Sequence, residues 1–154
     1  MFADEDDMKT AASFLLLLLL TIGALAQSPY PGIEKKPVPL GVSSKLPGAV
    51  NLSYFPGEGQ NHYIITYHNL DSPQYYEPET ISLYGDEQDL EEFYRFLKKG
   101  FTSQESRIKN IGNGEKIMVD YAYSSIRIAV LRKNGLNSLF FLSQKQLDRL
   151  FSKN

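Results

Sequence analysis

Histidine is the side chain that most often serves as a catalytic base or a metal ligand, and the chain has two, His62 and His68. Apolar and polar residues alternate around both, which predicts a β-strand. Residues six positions apart on a strand are about 20 Å from each other, so the two histidines cannot bind one metal ion. No other stretch has metal-ligand spacing. The sequence therefore predicts no metal site and no cofactor.

A histidine would act as a general base only beside a suitable partner, and Glu79 and Asp120 are the carboxylates proposed for that role. This combination defines one alternative function, a small hydrolase that works outside the cytoplasm. The serine-hydrolase, penicillin-binding and phosphate-loop motifs are absent, and there is no cysteine to act as a nucleophile. The catalytic residues stay unassigned, and the sequence favours a protein that is not an enzyme.

Tyrosine is the most abundant candidate for recognition, with ten copies in a chain that has no tryptophan. Tyr75 and Tyr76 lie in a loop bounded by prolines, and Tyr63 and Tyr67 lie on the strand that carries the histidines. Tyrosine offers a large rigid contact area with a polar tip, so we predict these four as binding residues for a protein or glycan ligand. The competing explanation is that the tyrosines pack against the sheet, because half-buried strands also select tyrosine.

Residues 1–26 have the pattern of a secretory signal peptide. Lys9 precedes an apolar run over residues 14–22, and the small-residue site Ala24-Leu25-Ala26 follows. The run is shorter than the about 20 residues of a transmembrane helix. Four acids stand before Lys9, which predicts that translation starts at Met8. We expect an exported protein, periplasmic or secreted, with no membrane span after signal removal and no lipidated cysteine anchor.

Residues 27–59 hold six of the eight prolines and five glycines, a composition that predicts an extended Pro/Gly-rich tether. Residues 60–154 are then one folded domain. Residues 1–26 contain four of the 18 acids and one of the 16 bases, so the rest of the chain is nearly neutral, with 14 acids and 15 bases. A neutral domain without a basic run predicts no nucleic-acid binding.

The domain pattern predicts an α+β fold. Two strands are followed by a helix that starts at the N-cap Asp86 and ends at Gly100, then by a meander of three to four strands and a terminal helix capped by Ser143. The sheet should be largely antiparallel, with both helices on one face.

Asn134-Gly135 predicts a two-residue type I′ turn in the meander. Counting outward from that turn places Phe141 in the core and Phe140 on the outer face, beside Met118 and Leu131. This outer face is rather apolar, and a partner or the tether would have to cover it. The oligomeric state stays open.

The leading functional hypothesis is a non-catalytic interaction protein of the cell envelope or extracellular space. It accounts for the signal peptide, the tether, the tyrosine-bearing loop and the missing catalytic motifs. A second alternative, besides the hydrolase, is an inhibitor or assembly partner that adds a strand to another protein. That alternative requires Thr80–Tyr84 or Arg107–Ile111 to be an open sheet edge.

Overall fold

The computed structural model describes residues 36–71, 78–103 and 105–153. The predicted signal peptide and the tyrosine pair Tyr75 and Tyr76 lie outside these residues. The described part contains two four-stranded antiparallel sheets, each a simple meander followed by a helix. The first sheet is β1 (Val38–Val42), β2 (Asn51–Phe55), β3 (Asn61–Tyr67) and β4 (Glu79–Gly85), followed by α1 (Glu87–Lys98) and a 3₁₀ turn at Lys99–Phe101. The second is β5 (Arg107–Gly112), β6 (Glu115–Ala122), β7 (Ser125–Leu131) and β8 (Ser138–Ser143), followed by α2 (Gln144–Leu150).

The α+β prediction is confirmed, but the meander that opens the domain begins earlier than expected. Strands β1 and β2 lie inside the stretch that was predicted to be a tether, so that prediction is wrong for residues 38–55. The prolines are compatible with these two strands because Pro37 precedes β1 and Pro56 follows β2. Only Pro39 lies within one, on the edge strand β1 beside an irregularity in the pairing register. An edge position is where a strand tolerates the missing backbone donor.

Both helices start in the same way, with a reciprocal capping box directly after the last strand of a sheet. The Asp86 carboxylate accepts from the backbone N–H of Asp89, whose own carboxylate accepts from the N–H of Asp86. Ser143 and Gln146 repeat this exchange at α2. Such caps satisfy backbone donors that the first helical turn leaves free. In both helices the apolar residues follow the cap by four, seven and eight positions: Leu90, Phe93 and Tyr94 in α1, and Leu147, Leu150 and Phe151 beyond Ser143.

A single core joins the two halves, because α2 packs against β1 of the first sheet and the 3₁₀ turn after α1 packs against β6 and β7 of the second. A Cβ added to Gly100, just after α1, would lie 2.5 Å from the Val119 side chain on β6. A Cβ added to Gly41 on β1 would lie 2.1 Å from the carbonyl oxygen of Leu150 in α2. The helices also contact each other where Tyr94 meets Phe151, with ring centroids 5.4 Å apart. The fully buried large side chains come from both sheets and both helices: Tyr67, Leu52, Ile65, Ile81, Leu97, Ile117, Ile126, Ile128, Leu142, Leu147, Leu150 and Val119.

The predicted type I′ turn at Asn134-Gly135 does not form. Gly135 has a φ of 75°, but its N–H bonds to the carbonyl of Arg132 and the loop between β7 and β8 runs over residues 132–137. The two-residue turn with positive φ at both positions occurs instead at Asn113-Gly114, with φ values of 50° and 72°. An Asn-Gly pair therefore marks a turn reliably here, but it does not fix the loop length.

Because this loop is longer than the predicted two-residue turn, the register of β8 differs from the prediction by one residue, and its side chains point to the opposite faces of the sheet. Ile128 pairs with Phe140, so Phe140 is a core residue with 4% exposure and Phe141 is 41% exposed. This corrects the sequence-based placement of both side chains. The Phe140 ring stacks on Tyr67 of the first sheet with 4.3 Å between ring centroids. That contact between sheets is long-range, which explains why local pattern could not anticipate it.

Candidate functional site

The two histidines are on the outer side of the first sheet, and neither meets a carboxylate of the described residues. His62 Nε2 lies 3.1 Å from the Ser82 hydroxyl, and its ring stacks on Tyr84 with 4.4 Å between centroids. His68 makes no hydrogen bond or ion pair within the described residues. The histidine–carboxylate dyad of a hydrolase is therefore not assembled here.

Both carboxylates proposed as partners are bound to arginines instead. Arg132 Nη1 lies 2.6 Å from Glu79, and Arg127 Nη2 lies 2.5 Å from Asp120. Burial alone would raise the pKa of each carboxyl, but hydrogen bonds from these arginines and from nearby serines hold both pKa values below their usual range. Carboxylates fixed in this charged state are poor proton acceptors at neutral pH. In the described part of the chain no three potential ligands cluster to hold a metal ion.

Tyr67 is the centre of a polar cluster that joins the two sheets. Its side chain is fully buried, and its hydroxyl lies 2.5 Å from the Ser138 hydroxyl on β8 and 3.2 Å from Glu79 on β4. Arg132 Nη2 also donates to the tyrosine oxygen at 3.3 Å. Burial raises the pKa of Tyr67 to about 12, so the hydroxyl stays protonated as a donor. We name Tyr67, Glu79, Arg132 and Ser138 the intersheet cluster and assign it a structural role.

Tyr63, the other predicted binding residue on β3, is 3% exposed. Its hydroxyl accepts from the Asn61 amide at 3.1 Å, and its ring lies 5.9 Å from Tyr54 on the neighbouring strand. Tyr63 and Tyr67 are thus core residues that offer a partner little surface. The prediction for Tyr75 and Tyr76 concerns residues outside the described structure and stays a prediction.

A cleft of about 970 Å³ opens between the first sheet and α1. Strands β1, β2 and β3 supply an apolar floor through Leu40, Tyr54 and Tyr63. Leu90 of α1 and Phe151 after α2 complete this floor, while charged side chains of α1 form the rim. The full lining comprises Leu40, Tyr54, Pro56, Asn61, Tyr63, Glu87, Gln88, Leu90, Glu91, Glu92, Arg95, Phe151 and Lys153.

The rim of this cleft has an excess of negative charge. Glu91 is shared by Arg95 at 3.0 Å and Lys153 at 2.6 Å, and these cations lower its pKa, the hydrogen bond from Lys153 most strongly. Glu87 and Glu92 form no ion pair within the described residues. The sequence could not reveal the cleft, because two of the three floor strands, β1 and β2, lie inside the stretch that was predicted to be a tether.

The two proposed docking edges are the edge strands of their sheets, as the strand-addition hypothesis requires. The edge at Thr80–Tyr84 is partly occupied, since Arg132 donates to the Thr80 carbonyl at 3.3 Å. Farther along, Tyr84 faces Lys109 across a cavity of about 290 Å³, so β4 and β5 partly shield each other. Exposed side chains occur on both edges, with Ile108 of Arg107–Ile111 60% exposed and Tyr84 of Thr80–Tyr84 59% exposed.

No helix within the described residues is long and apolar enough to cross a membrane. Comparison with protein-family models, curated proteins and solved structures gives no match to this chain.

Proposed function

We propose that this chain is an exported, non-catalytic binding protein whose cleft holds an apolar, positively charged segment of a partner protein. The observation that carries this proposal is the cleft itself, which combines an apolar floor with a rim of excess negative charge. Export, to the periplasm or the extracellular space, is supported by the signal-peptide pattern of residues 1–26.

The openness of the cleft favours a segment of a partner over a small cofactor. Its volume of about 970 Å³ is within the range of small-molecule sites, but such sites enclose most of the ligand, whereas this cleft remains open to solvent. Half-buried Tyr54, Leu40 and Leu90 provide the accessible apolar surface of the floor, and the buried rings of Tyr63 and Phe151 support it from beneath. An extended segment with one buried anchor residue would fill such a site.

The charge of the rim favours a basic residue beside that anchor. Glu87 and Glu92 are exposed carboxylates that no cation of the described chain neutralises, whereas Glu91 is already paired. A lysine or arginine of a partner would gain an opposite charge there, and complementary charge also raises the rate of association. The same carboxylates would disfavour an acidic segment.

The experiment is selection from a random peptide library displayed on phage, with the chain from Gln27 to Asn154 as the immobilised target. We expect the selected peptides to combine Lys or Arg with an aromatic or large aliphatic residue. Their binding should weaken by roughly tenfold in the double variant Glu87→Lys plus Glu92→Lys, because two attractions become repulsions. The matched control is Asp71→Lys plus Glu105→Lys. It changes the net charge by the same amount, at exposed positions outside the cleft.

Two results would contradict the proposal: no enrichment of any peptide class, or equal loss of binding in the control variant. The tyrosine loop is tested in the same format with Tyr75→Ala plus Tyr76→Ala. Unchanged binding would remove these two residues from the binding site and leave the cleft as the recognition surface. Reduced binding would support the sequence-based prediction for the loop.

A further inference from the structure

The outer face of the second sheet carries an apolar row that crosses all four strands. Ile108, Met118, Ala129 and Leu139 are direct neighbours in the register of β5, β6, β7 and β8. Ile108 is 60% exposed, and the other three are partly exposed. An antiparallel sheet with one solvated face normally places polar residues on that face. A continuous row of four apolar side chains indicates a surface that another surface covers.

Opposite charges flank this row on the same strand. Lys116 stands two residues before Met118 on β6, and Asp120 stands two residues after it, so all three point outward. Lys116 is exposed and forms no ion pair within the described residues. Asp120 is paired with Arg127 directly across on β7. The row therefore lies between a free positive charge and a negative charge that an arginine partly neutralises.

We propose that this face packs against the same face of a second copy of the chain, with the two-fold axis parallel to the apolar row. Rotation about that axis reverses the strand direction and keeps every strand over its own counterpart. It places Lys116 of each copy over Asp120 of the other, so opposite charges meet twice. Ala129 then faces Ala129 of the second copy, and its small side chain allows the sheets to approach to about 10 Å. The face is self-complementary in the placement of its charges, as an isologous interface must be.

The size of the face indicates a weak dimer. Four strands spaced about 4.8 Å apart, over some six residues each, bury roughly 800 Å² in total, less than the about 1,200 Å² of a stable standard interface. Dimerisation should therefore depend on concentration. None of the residues in the row lines the cleft, so the dimer presents two clefts and would bind a partner with paired segments more tightly through avidity. The dimer itself does not depend on the function proposed for the cleft.

The absence of native cysteine permits a direct test by crosslinking. The full chain carrying Ala129→Cys is treated with a short bismaleimide over a series of protein concentrations. We expect a covalent dimer whose yield rises with concentration. The matched control is Thr66→Cys, a partly exposed outward residue on an inner strand of the first sheet. It should give several-fold less dimer, and it also reports any crosslinking that arises from non-specific association.

The charge arrangement is tested by adding Lys116→Glu to the Ala129→Cys chain. Two opposite-charge contacts then become like-charge contacts, and the crosslinked yield at low concentration should fall by about tenfold. Lys145→Glu, an exposed change on α2, should leave the yield unchanged. Equal crosslinking of Ala129→Cys and Thr66→Cys overturns the interface. A yield that Lys116→Glu does not alter overturns the two-fold arrangement.

Discussion

Tyr67→Phe removes one oxygen atom from the intersheet cluster and leaves the ring in place, so its cost can be worked out from the contacts of that oxygen. The Ser138 hydroxyl, at 1% exposure, loses its 2.5 Å partner, cannot turn to water and keeps only Glu79 as a hydrogen-bond partner. The loss of a buried hydrogen bond costs about 1–3 kcal/mol. Glu79 and Arg132 each lose a longer contact but keep each other at 2.6 Å. We expect a total loss of about 2–3 kcal/mol in the free energy of unfolding.

The same hydroxyl predicts a loss of stability in alkaline solution. Its pKa is about 12 in the folded protein against 10.0 for an ordinary tyrosine, so the folded state holds this proton more tightly than the unfolded state. The resulting stabilisation is complete below pH 10 and is lost as the pH rises from 10 to about 12. Two pKa units correspond to about 2–3 kcal/mol. Tyr67→Phe should lack this part of the alkaline loss.

The assay is urea unfolding followed by far-ultraviolet circular dichroism, at neutral pH and across the alkaline range. Tyr123→Phe is the control, because Tyr123 is 94% exposed and should change neither quantity. Ser138→Ala in the Tyr67→Phe background removes the hydroxyl that has lost its bond to Tyr67, so the double variant should be more stable than the sum of the single effects predicts. A neutral-pH loss below about 0.5 kcal/mol, with an unchanged alkaline profile, would refute the role given to the cluster.

Three further changes test other parts of the fold. Gly41→Ala should cost about 1–3 kcal/mol by urea unfolding, because its Cβ would lie 2.1 Å from the Leu150 carbonyl oxygen; a neutral effect would mean that α2 can shift away from β1. Asp86→Ala should cost about 1 kcal/mol through loss of the α1 cap, whereas Asp86→Asn should cost less. The lowered pKa of Glu79 stabilises the fold at neutral pH, and this contribution is lost as the pH falls below the usual 4.5. Glu79→Gln should therefore flatten the acid limb of the stability profile, and an unaltered limb would show that other groups control it.

Local sequence signals predicted those helices and strands whose caps and apolar patterns lie within the element itself. The N-caps Asp86 and Ser143 were recognised from residue type and spacing, and both form the expected bonds. The α+β class followed from the order of these elements.

The failures share one physical cause, which is dependence on contacts between distant segments. The proline-rich stretch forms β1 and β2 because β3 and α2 give these strands neighbours to pair and pack with. Phe140 turns inward because Tyr67 of the other sheet receives its ring. The cleft requires residues 40 to 153 to come together, so no local window could reveal it. Tyr63 and Tyr67 are of a residue type that suits recognition, but both are buried, and their burial depends on segments of the core that are distant in sequence.

The crossed packing of the helices has a consequence for how the chain folds. The hydroxyl of Ser152 donates to the carbonyl of Leu40 at 2.7 Å, across 112 residues of sequence, and α2 covers β1 beside that bond. The β1 end of the first meander therefore cannot bury its apolar side until α2 has formed. Closing so long a loop is entropically slow. Folding should begin within the second meander, where successive strands are close in sequence, and the first sheet should be the last part to acquire hydrogen-exchange protection.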